Sequence, residues 1–301
     1  MKPRRRKYLS GGDIKNRRNV LSSSWRRFSG TAAALAVFVL ATACTNASGA
    51  PPNTLVGRAN DTGTLTIGTR FDQPGIGLRT VDGKYTGFDI DVATFIAGEL
   101  GVDPEDIRWK EITSADREQA LTSGQVDMIV GTYSITDERK KEVAFAGPYF
   151  TTGQDLLVRE NETDITGPSA LDGKKLCSVK GSTPAERVKE EFSQGARLVE
   201  YNRYTDCIPA LLTGTVDAVT TDAVILAGYV TEDPELLRVV GKPFSDEAYG
   251  VGLRKGDGEG REAVNKAIEK MISTGEWKQS LARNIGPSEY PIPTPPNITE
   301  R

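Results

Sequence analysis

The chain has 301 residues and a mass of 32.5 kDa, a length that predicts about two domains or lobes. Apolar residues make up 38% of it and charged residues 26%, a composition typical of a globular protein and unlike that of a disordered chain. The sequence has no histidine and three cysteines, which excludes Ser-His-Asp triads, Cys-His pairs, histidine-based zinc sites and four-cysteine zinc sites. We expect no metal and no cofactor.

Basic residues are concentrated in the N-terminal segment. Residues 1–43 contain ten Lys/Arg and one acid, Asp13, so the rest of the chain has twelve more acidic than basic residues. An acidic body disfavours nucleic acid, whose phosphates need Lys and Arg for neutralisation. We therefore expect no nucleic-acid partner, and the basic segment needs a different explanation.

The N-terminal segment has the layout of a secretory signal: basic residues, then a short apolar run (Ala32–Ala43) ending in small residues. The run is too short to span a bilayer, which takes ~20 apolar residues. Leu40–Cys44 resembles a bacterial lipobox, whose cysteine becomes a lipidated N-terminus, although Leu40 lies one place too early. We predict a lipoprotein signal peptide over 1–43, lipid on Cys44 and a flexible tether over 44–63.

These features predict a protein held by lipid on the extracytoplasmic face of the cell membrane. An ordinary signal peptide with an incidental cysteine is the alternative. The export route stays open, because Arg26-Arg27-Phe28 only approximates a twin-arginine signal.

The other two cysteines are an even pair in the oxidising compartment to which such a signal leads. Cys177 lies in a strand-like apolar run, and Cys207 lies 30 residues further on at the start of a predicted helix. A disulfide that closes this loop is worth about 3–4 kcal/mol in the chain-entropy model. We predict the disulfide, with two buried thiols as the alternative.

Strand-like segments alternate with helical ones along the body of the chain, which predicts an α/β fold. Phe88–Leu100 reads as a strand that turns into a helix, because its later apolar residues recur at helical spacing. The other predicted segments are strands at Leu65–Thr69, Ile107–Ile112, Val126–Val130 and Lys175–Val179, helices beginning near Ser114, Thr183 and Asp206, and a late helix around Ala263–Ile272.

One segment repeats at an offset of 90 residues: Ala120–Asp127 and Ala210–Asp217 are identical at five of eight positions. Each copy predicts a helix, a glycine stop and a buried strand, which indicates two lobes of similar build unless the similarity is chance. Ligands in open α/β sheets bind beyond the carboxyl ends of the strands. Thr132 and Asp222 follow the two repeat strands at equivalent places, so we expect both to face a cleft between the lobes.

Two motifs resemble a known family. Gly87–Val92, followed by Ile96-Ala97 and Leu100, is similar to the signature of the family 3 extracellular solute-binding proteins of ABC amino-acid importers. Ser134–Arg139, followed by Phe145 and Pro148-Tyr149, resembles the carboxylate-binding segment of the same family. The resemblance runs from about Thr64 to Gly286 and is greatest to lipid-anchored glutamate-binding proteins of actinobacteria.

The resemblance implies a two-lobed, type II periplasmic-binding-protein-like α/β fold whose lobes are joined by two hinge strands. On that basis lobe 1 is expected at 64–150 and 249–287, lobe 2 at 151–248, and the hinge strands at Tyr149–Gly153 and Asp246–Tyr249. The Pro-rich tail, 288–301, is expected to be disordered.

The same resemblance implies how a zwitterion would be held. Arg139 would pair with the α-carboxylate, because a guanidinium binds a carboxylate through two charge-assisted hydrogen bonds. Ser134 and the backbone amide of Thr183 would add donors. Asp222 would pair with the α-ammonium, and Thr132 would offer its carbonyl and hydroxyl to the same group.

Two further arginines predict the ligand side chain. Arg70 and Arg117 match arginine positions of acidic-amino-acid binders, with Ser114 beside Arg117, and two extra cations favour a second carboxylate. Tyr204 is expected to cover the ligand side chain. Glutamate, with aspartate as a second ligand, is therefore the predicted substrate, and glutamine, asparagine or another polar amino acid is the alternative.

The predicted protein is a monomeric receptor that delivers its amino acid to the transmembrane subunits of an ABC permease. A dehydratase-like enzyme on the same fold is a rival interpretation, but the sequence offers no evident general acid. A sensor or adhesion lipoprotein on this fold is a second rival.

Overall fold

The structure is a computed structural model that describes residues 54–288 and 290–301, all within one compact unit of the chain. The predicted signal peptide and Cys44 lie outside the described residues. The helices are α1 (Leu55–Thr62), α2 (Phe88–Glu99), α3 (Arg117–Thr122), α4 (Asp137–Glu142), α5 (Pro184–Arg187), α6 (Tyr204–Leu212), α7 (Ala223–Glu232), α8 (Gly258–Ser273) and α9 (Glu276–Asn284). The strands are β1 (Leu65–Thr69), β2 (Asp72–Gln73), β3 (Gly77–Arg79), β4 (Tyr85–Thr86), β5 (Ile107–Glu111), β6 (Met128–Ile129), β7 (Val143–Thr152), β8 (Gln154–Arg159), β9 (Lys175–Val179), β10 (Arg197–Tyr201), β11 (Ala218–Asp222), β12 (Leu237–Val239) and β13 (Glu247–Arg254).

Two five-stranded sheets have the same topology. The order is β5-β1-β6-β13-β7 in the first sheet, on which lobe 1 is built, and β10-β9-β11-β8-β12 in the second, on which lobe 2 is built. In each sheet, the first three strands of this order are parallel, and the fourth strand pairs antiparallel with the third and with the fifth. Apolar side chains at strand positions are buried under flanking helices, so the predicted α/β class is confirmed.

The chain passes from one sheet to the other and back where two extended segments lie side by side. β7 ends at Thr152, and the returning strand β13 begins at Glu247, which pairs with Thr152. A Cβ on Gly153, between β7 and β8, would lie 2.6 Å from the carbonyl oxygen of Ser245. Glycine is therefore required where the two crossing segments approach each other.

The 90-residue repeat is built in the same way in both lobes. The glycine after the helix has a positive φ in each copy, 70° and 73°. Asp127 Oδ2 accepts a hydrogen bond of 2.7 Å from the amide of Thr66, and Asp217 Oδ2 accepts one of 2.7 Å from the amide of Lys175. Each aspartate thus ties its repeat strand to the neighbouring parallel strand, β1 or β9.

Two predicted strands differ from the structure. The prediction of a strand at the start of Phe88–Leu100 was wrong, because Phe88–Glu99 is helical throughout. Its first residues are almost all buried, and an apolar run that is buried on every side looks the same in sequence whether it forms a strand or a helix. The strand predicted at Val126–Val130 is reduced to Met128–Ile129.

The predicted tether contains a helix, so the prediction of flexibility was wrong for residues 55–62. Thr54 Oγ1 accepts a hydrogen bond from the amide of Gly57 at 3.0 Å and caps α1. Leu55 and Ala59, one turn apart, are buried, and the Leu55 amide donates to Asp257 Oδ2 at 2.7 Å. The small, polar composition of this stretch concealed an apolar stripe of one turn.

The C-terminal tail packs on lobe 1, so the prediction of disorder was wrong for residues 290–301. The amides of Thr299 and Glu300 donate to the carbonyl oxygen of Gly147 at 2.9 and 3.0 Å, and Asn265 Nδ2 donates to the Glu300 carbonyl at 2.7 Å. Near its start, the hydroxyls of Tyr290 and Thr152 are 2.8 Å apart. The prolines supply no backbone donors, but the residues beyond them find partners on the lobe.

The disulfide prediction is confirmed. Cys177 in β9 and Cys207 in α6 are bonded, with their Cα atoms 5.9 Å apart. Both belong to lobe 2, so the bond fixes a helix to its own sheet and does not join the two lobes.

Within residues 54–288 and 290–301, no helix combines the length and apolar character that a membrane span requires. Over the same residues, no three side chains of the metal-binding types come together.

Candidate ligand-binding site

A small cavity lies between the two lobes. Eight of the nine predicted ligand-binding residues line it, and Arg70 does not. The lining consists of Gln73, Ser114, Arg117, Thr132, Ser134, Arg139, Ser182, Thr183, Pro184, Tyr204, Thr221, Asp222 and Ile225. Nearly all of these side chains are polar, so the cavity suits a small polar ligand better than an apolar one.

Arg139 is positioned by the short helix α4, which Thr136 caps through a hydrogen bond of 3.2 Å to the Arg139 amide. Its Nη1 donates to the Ser134 carbonyl at 2.7 Å, within lobe 1. Its Nη2 donates to the Gly181 carbonyl at 3.1 Å, in lobe 2. The guanidinium therefore sits where the two lobes meet.

Arg117, the first residue of α3, is 3% exposed and points into the same cavity. Its guanidinium donates to the carbonyl oxygens of Ser114, Gly131 and Thr132 at 3.2–3.4 Å. Among the described residues, no carboxylate lies within ion-pair distance of it. Burial, and after it the positive charge of Arg139, lowers the pKa of Arg117 to about 9, which leaves the group charged at neutral pH.

Thr132 follows β6 and has a positive φ of 44°, rare for a β-branched residue. Its amide donates to Asp89 Oδ2 at 2.8 Å, and its hydroxyl lies 3.2 Å from the Gln73 amide group. Asp89 is fully buried and also accepts a hydrogen bond of 2.7 Å from the hydroxyl of Tyr149. This network holds the strained residue with its side chain at the cavity.

Asp222 ends β11 and precedes α7. Its Oδ2 accepts a hydrogen bond of 2.5 Å from the Tyr249 hydroxyl, whereas Oδ1 is buried and has no hydrogen-bond partner among the described residues. Burial, and after it the charge of Glu247, raises the pKa of Asp222 to about 7. A buried carboxylate oxygen without a donor is a site for a ligand cation.

Lobe 2 contributes the edge formed by Ser182, Thr183 and Tyr204. The α-helix that follows Thr183, Pro184–Arg187, continues without a break as a π-helix over Val188–Phe192. Tyr204 is buried at the first position of α6, and burial raises the pKa of its hydroxyl. At Gly181, a Cβ would lie 2.6 Å from Cα of Ala115 in lobe 1, which shows how closely the two rims approach.

Arg70 directly follows β1 but does not line the cavity. Its Nη2 forms a buried ion pair of 2.8 Å with Asp72 Oδ1, and its Nη1 donates to Ser114 Oγ at 3.2 Å. Its Nε is buried and has no partner among the described residues. The structure therefore places Arg70 behind Ser114, in the second layer of side chains.

Sequence reasoning missed several residues at the cavity. Gln73 lines it, and the Tyr133 ring lies under two guanidinium groups, 4.2 Å from Arg117 Cζ and 5.2 Å from Arg139 Cζ. Tyr249, on the crossing strand β13, orients Asp222. Buried aromatic residues look like core residues in a sequence, and only Tyr133 carried a usable signal, its place between Thr132 and Ser134.

The cavity thus presents two guanidinium groups, of which that of Arg139 also lies 3.5 Å from Glu118 Oε1, and one carboxylate oxygen that has no donor within the described part of the chain. It can hold a ligand that carries one ammonium and more than one anionic oxygen group, because each charge then has an opposite partner.

Comparison with known proteins is consistent with this geometry. Residues 65–287 match the family described as bacterial extracellular solute-binding proteins, family 3. The chain is 44% identical over 275 residues to the glutamate-binding protein GluB of Corynebacterium efficiens, covering 87% of this chain and 92% of that protein. It is 36% identical over 220 residues to the ABC transporter glutamine-binding protein GlnH of Bacillus subtilis, covering 73% and 80% of the two chains.

Solved structures show the same architecture. An ancestral arginine-binding protein bound to glutamine has a TM-score of 0.70 and 36% identity, covering 74% of this chain and 98% of that one. A cysteine-binding protein from Campylobacter jejuni has a TM-score of 0.74 at 22% identity, covering 82% and 100%, and bears on the fold alone. These similarities confirm the predicted two-lobed fold.

Proposed function

Because the chain belongs to the bacterial extracellular solute-binding proteins of family 3, a class of non-enzymatic receptors that bind amino acids for ABC importers, we propose that its own ligand is an acidic amino acid, glutamate above all. The observation that carries the proposal is the charge of the cavity: the guanidinium groups of Arg117 and Arg139 face it together with Asp222 Oδ1, for which residues 54–288 and 290–301 supply no hydrogen-bond donor. The relatives named as glutamate-binding proteins support the same ligand.

The assignment of ligand groups follows from where the charges lie. Arg139, together with Ser134 and the Thr183 amide, takes the α-carboxylate, and Asp222 with Thr132 takes the ammonium. Arg117 and Ser114, on the lobe 1 side, are then left for the side-chain carboxylate, with Tyr204 above it. A neutral amide in that place would leave the buried charge of Arg117 unpaired, at a free-energy cost.

Glutamine is the second candidate, because a glutamine-binding relative is 36% identical and a solved neighbour holds glutamine. Calorimetric titration of the full-length protein with glutamate, aspartate, glutamine and asparagine separates the two. We expect glutamate to bind at least ~10-fold more tightly than glutamine, the effect of about 1.4 kcal/mol. Equal affinity, or tighter binding of glutamine, would contradict an acidic ligand.

We also propose that residues 64–150 with 249–287 and residues 151–248 move as two lobes about the crossing segments, Tyr149–Gly153 and Asp246–Tyr249. A lobe pair joined only there can open to admit the ligand and close around it, because the ligand contacts both lobes. The closed monomer would then dock on the permease.

The lipid anchor stays a proposal on the sequence of the Leu40–Cys44 segment. Replacing Cys44 with Ala should release the protein into the medium, because the lipidated side chain is lost. A matched Cys44→Ser variant should behave in the same way. Retention of both variants in the membrane fraction would contradict lipidation at Cys44.

A further inference from the structure

Asp72 is a buried carboxylate at the edge of the ligand cavity, with a partner on each side. It is 3% exposed and lies on β2, two residues after the arginine with which it pairs. Its Oδ1 accepts from Arg70 Nη2 at 2.8 Å, within lobe 1. Its Oδ2 accepts from the backbone amide of Tyr204 at 2.8 Å, at the start of α6 in lobe 2.

The main chain of Asp72 makes a second contact between the lobes. Its carbonyl oxygen accepts a hydrogen bond from the Tyr229 hydroxyl in α7. Both oxygens of the carboxylate and the carbonyl are therefore occupied, and the carboxylate is fixed in position when the lobes are in contact. Neither Asp72 nor Arg70 lines the cavity.

The pair nevertheless lies close to the part of the cavity assigned to the ligand side chain. Arg70 Nη1 is 3.2 Å from the hydroxyl of Ser114, and Ser114 lines the cavity beside Arg117. Charges separated by one buried side chain still interact appreciably, because the protein screens them less than water does. Any net charge on the pair is thus felt by the distal group of the ligand.

We propose that Asp72 is a specificity-determining residue: by neutralising Arg70 it lowers the positive potential at the side-chain end of the cavity, and so limits how strongly an acidic ligand is preferred over its amide. This inference rests on the proposed amino-acid-binding function. Asp72 then acts through Arg70, and Arg117 alone contacts the side-chain carboxylate.

Three variants of the full chain test the proposal by the ratio of glutamate to glutamine affinity. Asp72→Asn removes the negative charge and keeps an acceptor for the Tyr204 amide, so the ratio should rise about tenfold. Arg70→Met leaves Asp72 uncompensated beside the ligand carboxylate, so the ratio should fall about tenfold. In the double variant Arg70→Met/Asp72→Asn, both charges are gone, and the ratio should return to within about threefold of that of the unmodified protein.

The double variant distinguishes this role from direct contact. If Arg70 itself held the ligand carboxylate, the double variant would be as poor as Arg70→Met, and the proposal would be overturned. An unchanged ratio in Asp72→Asn would overturn it equally. The matched control is Asp91→Asn, which removes a carboxylate that pairs with Arg283 on the far side of lobe 1 and should leave the ratio unchanged.

A variant that fails to fold can be distinguished from one that folds but has an altered affinity ratio. Thermal unfolding of each variant without ligand shows whether it folds, and if Asp72→Asn does not, Asp72→Ser with its uncharged acceptor replaces it under the same expectation. If the unmodified protein prefers glutamine, the proposed acidic ligand is wrong. The direction of the change from one variant to the next still tests the role of Asp72, because it does not depend on the starting ratio.

Discussion

At the scale of single residues, the two buried guanidinium groups of the cavity both lie over the ring of Tyr133. Arg117 and Arg139 both stack on Tyr133, and Tyr133 donates from its hydroxyl to Glu118 Oε1 at 2.8 Å. The ring face attracts both cations, which offsets part of the repulsion between them. A ligand with two carboxylates would complete this offset, since it brings one carboxylate to each guanidinium.

Replacing Arg139 and replacing Arg117 should weaken the binding of different sets of ligands. Arg139→Met should weaken glutamate and glutamine alike, because both carry an α-carboxylate. Arg117→Met should weaken glutamate selectively, because glutamine has no side-chain charge to lose. Loss of a buried charge pair costs about 2–5 kcal/mol, or roughly 30-fold to several thousand-fold in affinity, which calorimetry resolves. Equal losses for both ligands in Arg117→Met would contradict the assignment.

The raised pKa of Asp222 predicts how binding depends on pH. Burial raises this pKa to about 7 while the lobes are in contact, so below pH 7 the carboxyl of the closed form is increasingly protonated and cannot pair with an ammonium. Binding to the closed form must then release a proton, and glutamine affinity should fall as the pH drops from 8 to 5.5. Glutamine is the ligand to use, because its side chain does not titrate.

Calorimetry in buffers of different ionisation enthalpy measures that proton release directly. Asp89, whose pKa burial also raises to about 7, is a second titrating carboxyl, but its two oxygens are already hydrogen-bonded away from the cavity. An Asp222→Asn variant should bind weakly at every pH and release no proton. Constant affinity of the unmodified protein between pH 5.5 and 8 would show that Asp222 does not pair with the ammonium.

At the scale of elements, α7 of lobe 2 touches lobe 1 through a glycine. A Cβ on Gly228 would lie 2.3 Å from the carbonyl oxygen of Pro74, closer than any real contact. Gly228 lies inside a helix, where alanine is the better residue by about 1 kcal/mol. The close approach between the lobes is therefore the reason that the helix needs a glycine here.

Gly228→Ala should impair closure without impairing folding. We expect the variant without ligand to unfold at the same or a higher temperature, because the open form gains helix propensity. Ligand affinity should fall by at least about tenfold, because the closed form must shift to relieve the clash. Gly98→Ala in α2, where a Cβ meets nothing within 4 Å, is the matched control. It should lower neither the unfolding temperature nor the ligand affinity. An affinity unchanged in Gly228→Ala would mean that the lobes bind ligand without this contact.

At the scale of the whole molecule, the two lobes contact each other around the cavity through several hydrogen bonds. The chain runs from one lobe to the other only at the crossing segments. The disulfide stays within lobe 2, so it does not oppose opening. The ligand adds contacts to both lobes and should shift the population towards the closed form.

Small-angle scattering measures that shift. The radius of gyration of the full-length protein should decrease on addition of saturating glutamate, because an open two-lobed molecule becomes more compact. Leucine at the same concentration is the control and should leave the radius unchanged, because its side chain offers no partner to Arg117. A radius unaffected by glutamate would contradict closure coupled to binding.

The order of strands and helices and the repeat could be predicted from the sequence, because these features depend on periodicity and on residues close together in the chain. Thr132 and Asp222 were found in this way, since each follows its copy of the repeat directly. Most of the cavity lining was predicted from the resemblance to the family. Arg139 was found because a local motif marks it. Helix α1 and the packed tail were not found, because composition alone describes a short polar stretch as flexible.

What the sequence determined by itself is the class of site: an interlobe cavity with guanidinium groups and one carboxylate. What only the tertiary structure decided is which arginines line the cavity. Arg70 was the leading candidate in the sequence and Arg117 the second, but Arg70 pairs with Asp72, whose other oxygen is held by an amide 132 positions away, at Tyr204. A hydrogen bond over that distance along the chain exists only once the two lobes have folded and met, so no local pattern can record it.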